Sequence, residues 1–272
     1  MPPKSKTSVT DAQTESTISA KARTLAALLA AAGVMMFAVC GGDGNPSEPI
    51  DGDDDTALCF GFDPNAEVEH FGQMKKQFCD ERDGQRYTYI EIGSQTWMAE
   101  NLNYADGSRG KCYDNDITNC NTYGRLYDWY EAMAVCPAGW RLPANEDWDA
   151  LYRFVDGTSG TDSPYSSNTA SKYLKAKEYW VDCGPSGSGD RHSCEDTHGF
   201  SALPSGSGAA VEVGTFSNMG EFGLWWTSTG SSTGSSLHAY HQFMFNFNAI
   251  TYAMSEGKWF LFSVRCIQDV RL

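Results

Sequence analysis

The chain has 272 residues, 41% of them apolar and 13% aromatic, with 27 glycines, 8 tryptophans and 13 tyrosines. That composition excludes a disordered polymer; once a leader and a tether are set aside it suits one turn-rich α+β or β domain of about 190 residues, large enough for a full core. The net charge is −15, and from residue 41 on 16 basic residues stand against 33 acidic ones, so a nucleic-acid partner is excluded on charge.

Lys21 and Arg23 precede an apolar run of 15 residues, Leu25 to Val39, followed by Cys40-Gly41-Gly42. The run is short for a bilayer span and reads as a secretory leader. Ending in Cys-Gly-Gly before an acidic linker, it resembles the signal of a bacterial lipoprotein. The resemblance implies that Cys40 is lipidated and anchors the protein to a membrane, at the outer membrane or cell surface. A plain secretory peptide and an N-terminal membrane helix are the competing readings. Residues 41–56, GGDGNPSEPIDGDDDT, carry six acids and no base and are expected to be a flexible tether. Residues 57–79 then form an N-terminal extension, and 80–272 the main domain.

Nine cysteines are present. With Cys40 assigned to lipid, eight remain, and an even number fits full pairing in an oxidising compartment. Connectivity stays open from sequence; nearness in the chain suggests Cys59 with Cys79, Cys112 with Cys120 and Cys183 with Cys194, leaving Cys136 for Cys266. A zinc site is disfavoured, because there is no CxxC and His70, His192, His198, His238 and His241 do not cluster with cysteine at finger spacing.

Asp83-Gly84 signals a turn, and Tyr87 to Ile92 alternates into Gly93-Ser94 and Gln95 to Met98, a β-hairpin. Asn101, Asn103, Asp106 and Asp114-Asn115-Asp116 supply oxygen ligands that would suit a structural calcium or a sugar, although these residue types are also the usual turn formers. Tyr123 to Val135 reads as a helix with Leu126, Tyr127, Tyr130 and Ala134 on one face. Cys136 to Pro143 is turn-rich. A second helix starts with Asn145 as its N-cap and with Glu146 and Asp147 in the first turn, where the helix dipole favours them. Its stripe is Trp148, Leu151, Tyr152 and Val155, and Gly157 is its stop.

Asn168 to Lys177 predicts a short third helix, and Val181 to Arg191 a loop. Gly223 to Ser228 predicts a buried strand, and Thr229 to Ser236 a low-complexity loop. In His238 to Ser255, His241, Phe243, Phe245 and Phe247 share one face, while Tyr240, Gln242, Met244, Asn246 and Asn248 share the other, the pattern of a half-buried strand. Lys258 to Ile267 is expected to pair with it as a closing hairpin around Ser255-Glu256-Gly257.

The blocks RDGQRYTYIEIGSQTWMAENLNY, YGRLYDWYEAM, CPAGWRLPANEDWDAL, HGFSALPSG, GEFGLWWTST and FSVRCIQD resemble, in order, those of the Fibrobacter succinogenes major paralogous domain, over about Asp80 to Asp269. That family occurs on bacterial secreted proteins and lipoproteins. More remotely, WRLPANEDWDAL and VRCI are similar to the RLP helix and final strand of the formylglycine-generating-enzyme superfamily. This implies a C-type-lectin-like α+β fold with irregular loops and disulfides. The superfamily's catalytic residues do not carry over: Leu237 to Ser255 holds no cysteine, and His238 with His241 does not match the iron-binding motif. EPN, QPD and WND calcium motifs are also missing.

The function expected from these features is a non-catalytic surface module that binds polysaccharide or an envelope protein. Trp225, Trp226, Tyr240, Gln242 and Asn246 are its candidate contacts, because rings stack on sugar faces and amides meet hydroxyls. Alternation leaves one of the two tryptophans facing out. The alternatives are a formylglycine-generating-like enzyme or hydrolase and a purely structural envelope component. For the hydrolase, the acid pairs Glu146 with Asp147 and Asp190 with Glu195 come into question.

Overall fold

The computed structural model describes residues 58–107, 109–157, 165–183, 194–210, 215–231 and 236–269. The leader, the tether, Cys40, His192 and Asp190 lie outside these residues. In chain order the strands are β1 (Glu67–His70), β2 (Gln73–Cys79), β3 (Arg86–Ile92), β4 (Gln95–Met98), β5 (Leu126–Tyr127), β6 (Trp140–Arg141), β7 (Ser207–Ala209), β8 (Phe216–Ser217), β9 (Phe222–Gly230), β10 (His238–Phe245), β11 (Thr251–Gly257), β12 (Phe260–Ser263) and β13 (Ile267–Gln268). The helices are α1 (Ile117–Tyr123), α2 (Trp129–Val135), α3 (Asn145–Asp156) and α4 (Ala170–Leu174). Among the described residues the strands form two sheets. One runs β1-β2-β3-β4-β13-β6; the other runs β11-β10-β9-β12-β7-β8, with β5 also on β12. The fold is α+β and mostly β.

The expected β3–β4 hairpin forms, with Ile92 opposite Gln95. Helix α3 buries the expected stripe of Trp148, Leu151, Tyr152 and Val155, and Gly157 ends it at φ 67°. Its start differs by one residue. Ala144 is the N-cap and Asn145 lies inside the helix, fully buried, because the Asp147 carboxylate takes the Ala144 N–H at 2.7 Å while Arg141 clamps the same carboxylate. Asn145 instead meets Gln242 through its Oδ1 at 3.4 Å.

Three sequence expectations are corrected. The helix expected over Tyr123 to Val135 is broken: α1 stops at Tyr123, Leu126-Tyr127 pairs with β12, and α2 starts afresh after Asp128. Gly124 enforces the break, since a Cβ there would lie 2.7 Å from the Asn101 Cβ and its φ is +76°. Asp128 and Glu131 then form a capping box.

The third helix is shorter than Asn168 to Lys177, spanning Ala170–Leu174. Lys175 leaves it to bury its ammonium, which donates to the carbonyls of Phe245 and of Asn248.

The closing hairpin is also different. The single strand expected over His238 to Ser255 is itself two strands, β10 and β11, paired around residues 246–250, and β12 lies on the far side of β9. The Lys175 ammonium gathers the Phe245 carbonyl at the start of that turn and the Asn248 carbonyl within it, a tertiary interaction that hydrophobic alternation does not encode.

Burial of β9 and β10 accounts for a further correction. Trp226, Phe243, Phe262, Val264 and Cys266 share one core with Tyr87, Met98 and Trp140. Trp225 and Met244 point into a second core with Trp97, Trp148, Leu151 and Phe200. These strands are covered on both faces, so neither tryptophan faces out; each is 0% exposed. The four disulfides are Cys59–Cys79, Cys112–Cys120, Cys136–Cys266 and Cys183–Cys194.

His241 sits among Trp226, Phe243 and Phe262, and its Nδ1 is buried with no hydrogen-bond partner among the described residues. Burial lowers its pKa to about 3. The folded state therefore rejects a proton that the unfolded chain accepts below its ordinary value of 6.5. The His241 contribution is complete above that value and is lost as pH falls toward 3. At pH 4.5 the loss is expected to be about 2–3 kcal/mol. Urea unfolding of wild type and His241→Phe at pH 7 and 4.5 checks it: the variant should lose less stability on acidification by that amount.

Candidate functional site

The β1–β2 hairpin turns through Phe71 and Gly72, with His70 opposite Gln73. Both turn residues have positive φ, 50° and 73°, as a tight two-residue turn of the I′ type requires. Glycine adopts such angles at no steric cost, whereas a phenylalanine there is strained. The Phe71 ring is carried into a cavity of about 310 Å³. Tyr179 forms another wall, also at positive φ (73°), with its ring centroid 6.1 Å from that of Phe71. Tyr123, ending α1, meets Tyr179 edge-on at 5.6 Å.

Polar groups complete the cavity. Glu100, Asn101 and Asn103 come from the segment after β4, Asn121 and Thr122 from the last turn of α1, His70 from β1 and Gln85 from the β2–β3 turn. Asn103 Oδ1 is buried with no hydrogen-bond partner among the described residues. Glu100 Oε1 accepts from the Thr88 amide at 2.7 Å and the Thr88 hydroxyl at 2.6 Å, which orients the carboxylate. His70 Nδ1 faces the Lys75 ammonium at 3.1 Å. Burial first, and then the charges of Lys75 and Arg265, lower the His70 pKa to about 3. At neutral pH the ring is uncharged, accepts at Nδ1 and carries its proton on Nε2.

Beneath the cavity lies a buried charged network. Lys75 donates to Ser201 Oγ at 2.8 Å, and Ser201 in turn donates to Asp196 through its Oγ (2.6 Å) and its N–H (2.7 Å). Arg265, 0% exposed, donates to Asn101 Oδ1 through Nε (3.1 Å) and Nη2 (2.9 Å), and to the carbonyls of Phe200 and Ser201. Trp225 Nε1 donates to the same Asn101 oxygen at 2.9 Å. Burial brings the Lys75 pKa down to about 8. A serine beside an amine of that basicity has the spacing of a nucleophile and its base. Yet Ser201, Lys75 and Asp196 are all buried, and none of them lines the cavity. Their position ties the β1–β2 hairpin to the main domain.

The five residues expected to contact a ligand do not come together. Trp225 and Trp226 are core. Gln242 is fully buried, its Oε1 accepting from the Tyr152 hydroxyl at 2.9 Å. Asn246 is buried, and its N–H donates to the Glu221 carbonyl at 2.8 Å. Tyr240 is half-buried on β10 and lies outside the cavity wall. The covering of both sheet faces removes four of the five from solvent. Of the oxygens suited to calcium, Asn101 Oδ1 serves Arg265 and Trp225, Asp116 caps α1, and Asp106 pairs with Arg109 at 3.5 Å. Among the described residues no three His, Cys, Asp or Glu side chains gather to hold a metal, and no helix is long and apolar enough to cross a membrane.

Of the residues that build the cavity, Asn101 and Asn103 are among those the sequence offers for a calcium or a sugar, while the aromatic pair Phe71 and Tyr179 is not singled out by it. A signal was present: Val68-Glu69-His70-Phe71-Gly72-Gln73-Met74 is an alternating run folded about a Phe-Gly pair. The extension's cysteines, Cys59 and Cys79, drew the reading toward disulfides.

No curated protein matches the chain, and no solved structure does. The Fibrobacter succinogenes major domain matches residues 90–268, which takes in Glu100 to Gly124 and Tyr179 of the cavity but leaves His70 and Phe71 outside. With most of its length in that match, the chain belongs to the Fibrobacter succinogenes major domain family.

Proposed function

We propose that this protein is a non-catalytic binding module, held at the cell surface by a lipid on Cys40, whose cavity takes a sugar unit of a polysaccharide. The observation that carries the reading is the pair Phe71 and Tyr179: two bulky aromatic residues in left-handed backbone, both lining one cavity. Strain of this kind costs about 1–3 kcal/mol per residue and persists where a site needs it. Rings at the wall, with Asn103, Asn121, Thr122, Glu100 and the His70 Nε2–H around them, match the apolar faces and hydroxyl rims of sugars.

An enzymatic reading has less support, since Ser201, the serine beside the Lys75 amine, is sealed from the cavity. The C-type-lectin-like kinship is part of the same proposal. It is supported by the packing of α3 against β9 and β10 and by the return of β13 to the sheet of the first hairpins. In this reading the acidic tether holds the domain off the membrane.

The test is retention of the full chain on insoluble cellulose and on envelope fractions. Phe71→Gly and Tyr179→Gly relieve the backbone strain, so neither should lower the unfolding temperature appreciably. Each should nevertheless reduce retention about tenfold, equivalent to about 1.4 kcal/mol. Unchanged retention in both variants would sink the proposal.

A further inference from the structure

A second aromatic site lies on the other sheet. Trp259 is 38% exposed at the turn between β11 and β12 and forms one wall of a groove of about 370 Å³. Its indole is pinned: it lies across Gly257, where a Cβ would come within 2.4 Å of the ring, and its backbone carbonyl accepts from the Ala210 N–H at 2.9 Å. Phe260 lies nearly parallel to it, at 28° and 6.2 Å between centroids, and Phe262 nearly parallel to Phe260, at 15° and 6.0 Å. The rings thus form a ladder that starts in the core and ends at an exposed indole face. Phe216 on β8 adds an aromatic edge, and Ser207, Ser217 and Thr215 set hydroxyls around the groove.

We propose that this groove is a second glycan site, taking a neutral hexopyranose unit by stacking on Trp259. This inference rests on the polysaccharide reading but not on the first cavity, with which the groove shares no lining residue. Neutrality follows from charge. None of the described residues lining the groove is ionisable, so they offer no cation for a uronic acid or sulfate, and a chain of net charge −15 repels polyanions. Hydroxyls are the only polar side chains there, and they exchange hydrogen bonds with sugar hydroxyls as both donors and acceptors. A pinned ring has little motion left to lose on binding, which favours stacking on Trp259 over stacking on a free surface aromatic. The cavity at Phe71 and Tyr179 differs in carrying Glu100 and His70, so the two sites select different units or different faces of one polymer.

The test compares the full chain with Trp259→Ala, Trp259→Phe and Tyr179→Gly in affinity electrophoresis through hydroxyethylcellulose and through polygalacturonate, with the unfolding temperature followed in parallel. Wild type should be retarded by the neutral polymer and not by the acidic one. Trp259→Ala should weaken retardation at least about fivefold with its unfolding temperature unchanged. Trp259→Phe, which keeps a ring, should recover most of it. Tyr179→Gly should weaken retardation separately, and combining it with Trp259→Ala should multiply the two losses. If Trp259→Ala matches wild type while Tyr179→Gly loses retardation, the groove is not a glycan site and the function proposed above stands. Retardation of no variant and of no wild type overturns both. Equal retardation by polygalacturonate overturns the neutral selectivity.

Discussion

Replacing Cys136 and Cys266 together with alanine is expected to remove about 5 kcal/mol from the stability of the domain. The bond joins positions 130 residues apart, by far the longest loop among the four disulfides, and the entropy that a cross-link removes from the unfolded chain grows with the logarithm of that loop. Cys112–Cys120, only 8 residues apart, should contribute about half as much by the same argument. The position adds to the effect. Cys136 ends α2, and Cys266, fully buried, adjoins β13, the strand that joins β4 to β6. Without the bond, that strand is held by short pairings, Ile267 with Trp97 and Arg141 and Gln268 with Trp140. Urea unfolding of the double variant beside Cys112→Ala/Cys120→Ala checks the order. Equal losses would mean that the unfolded chain is already compact around the long loop.

Arg265→Met is expected to cost about 4 kcal/mol, the range found when one partner of a buried charge network is removed. The guanidinium satisfies the Phe200 and Ser201 carbonyls and Asn101 Oδ1, and it lies 4.4 Å over the Phe200 ring. A methionine fills similar space but leaves two carbonyls and part of an amide oxygen unpaired in the core, and takes away a positive charge that faces Asp196. Arg265→Lys should recover little, because a single ammonium cannot reach three acceptors laid out for a planar fork. Denaturant midpoints of both variants test this. A loss below about 1 kcal/mol for Arg265→Met would show that water replaces the guanidinium. The network also links stability to the site. Asn101 lines the cavity, and Lys75 locks the hairpin that carries His70 and Phe71, so variants here should weaken binding along with folding.

The family match begins at residue 90, yet part of the cavity wall is built by residues 70 and 71. The β1–β2 hairpin therefore lies outside the matched residues although it lines the cavity. Lys75 secures the hairpin to the matched part of the chain. A buried lysine from the hairpin meets Ser201 of the GFSALPSG block, whose hydroxyl is oriented by the Asp196 carboxylate just upstream of the block.

Local features were legible because short-range geometry decides them. The stripe and glycine stop of α3 and the β3–β4 hairpin are each specified by residues within a turn or two of one another. Family membership was legible too, since whole blocks recur in order. What the sequence could not decide was which faces are covered. Alternation in β9 and β10 marks two faces, but α3 packs on one and α2 on the other, so Trp225, Trp226 and Gln242 became core only in the assembled fold. The cavity is tertiary for the same reason. It gathers residues 70–71, 100–103, 121–124 and 179, and two of its rings stand on left-handed backbone that no propensity favours and that only the surrounding contacts hold.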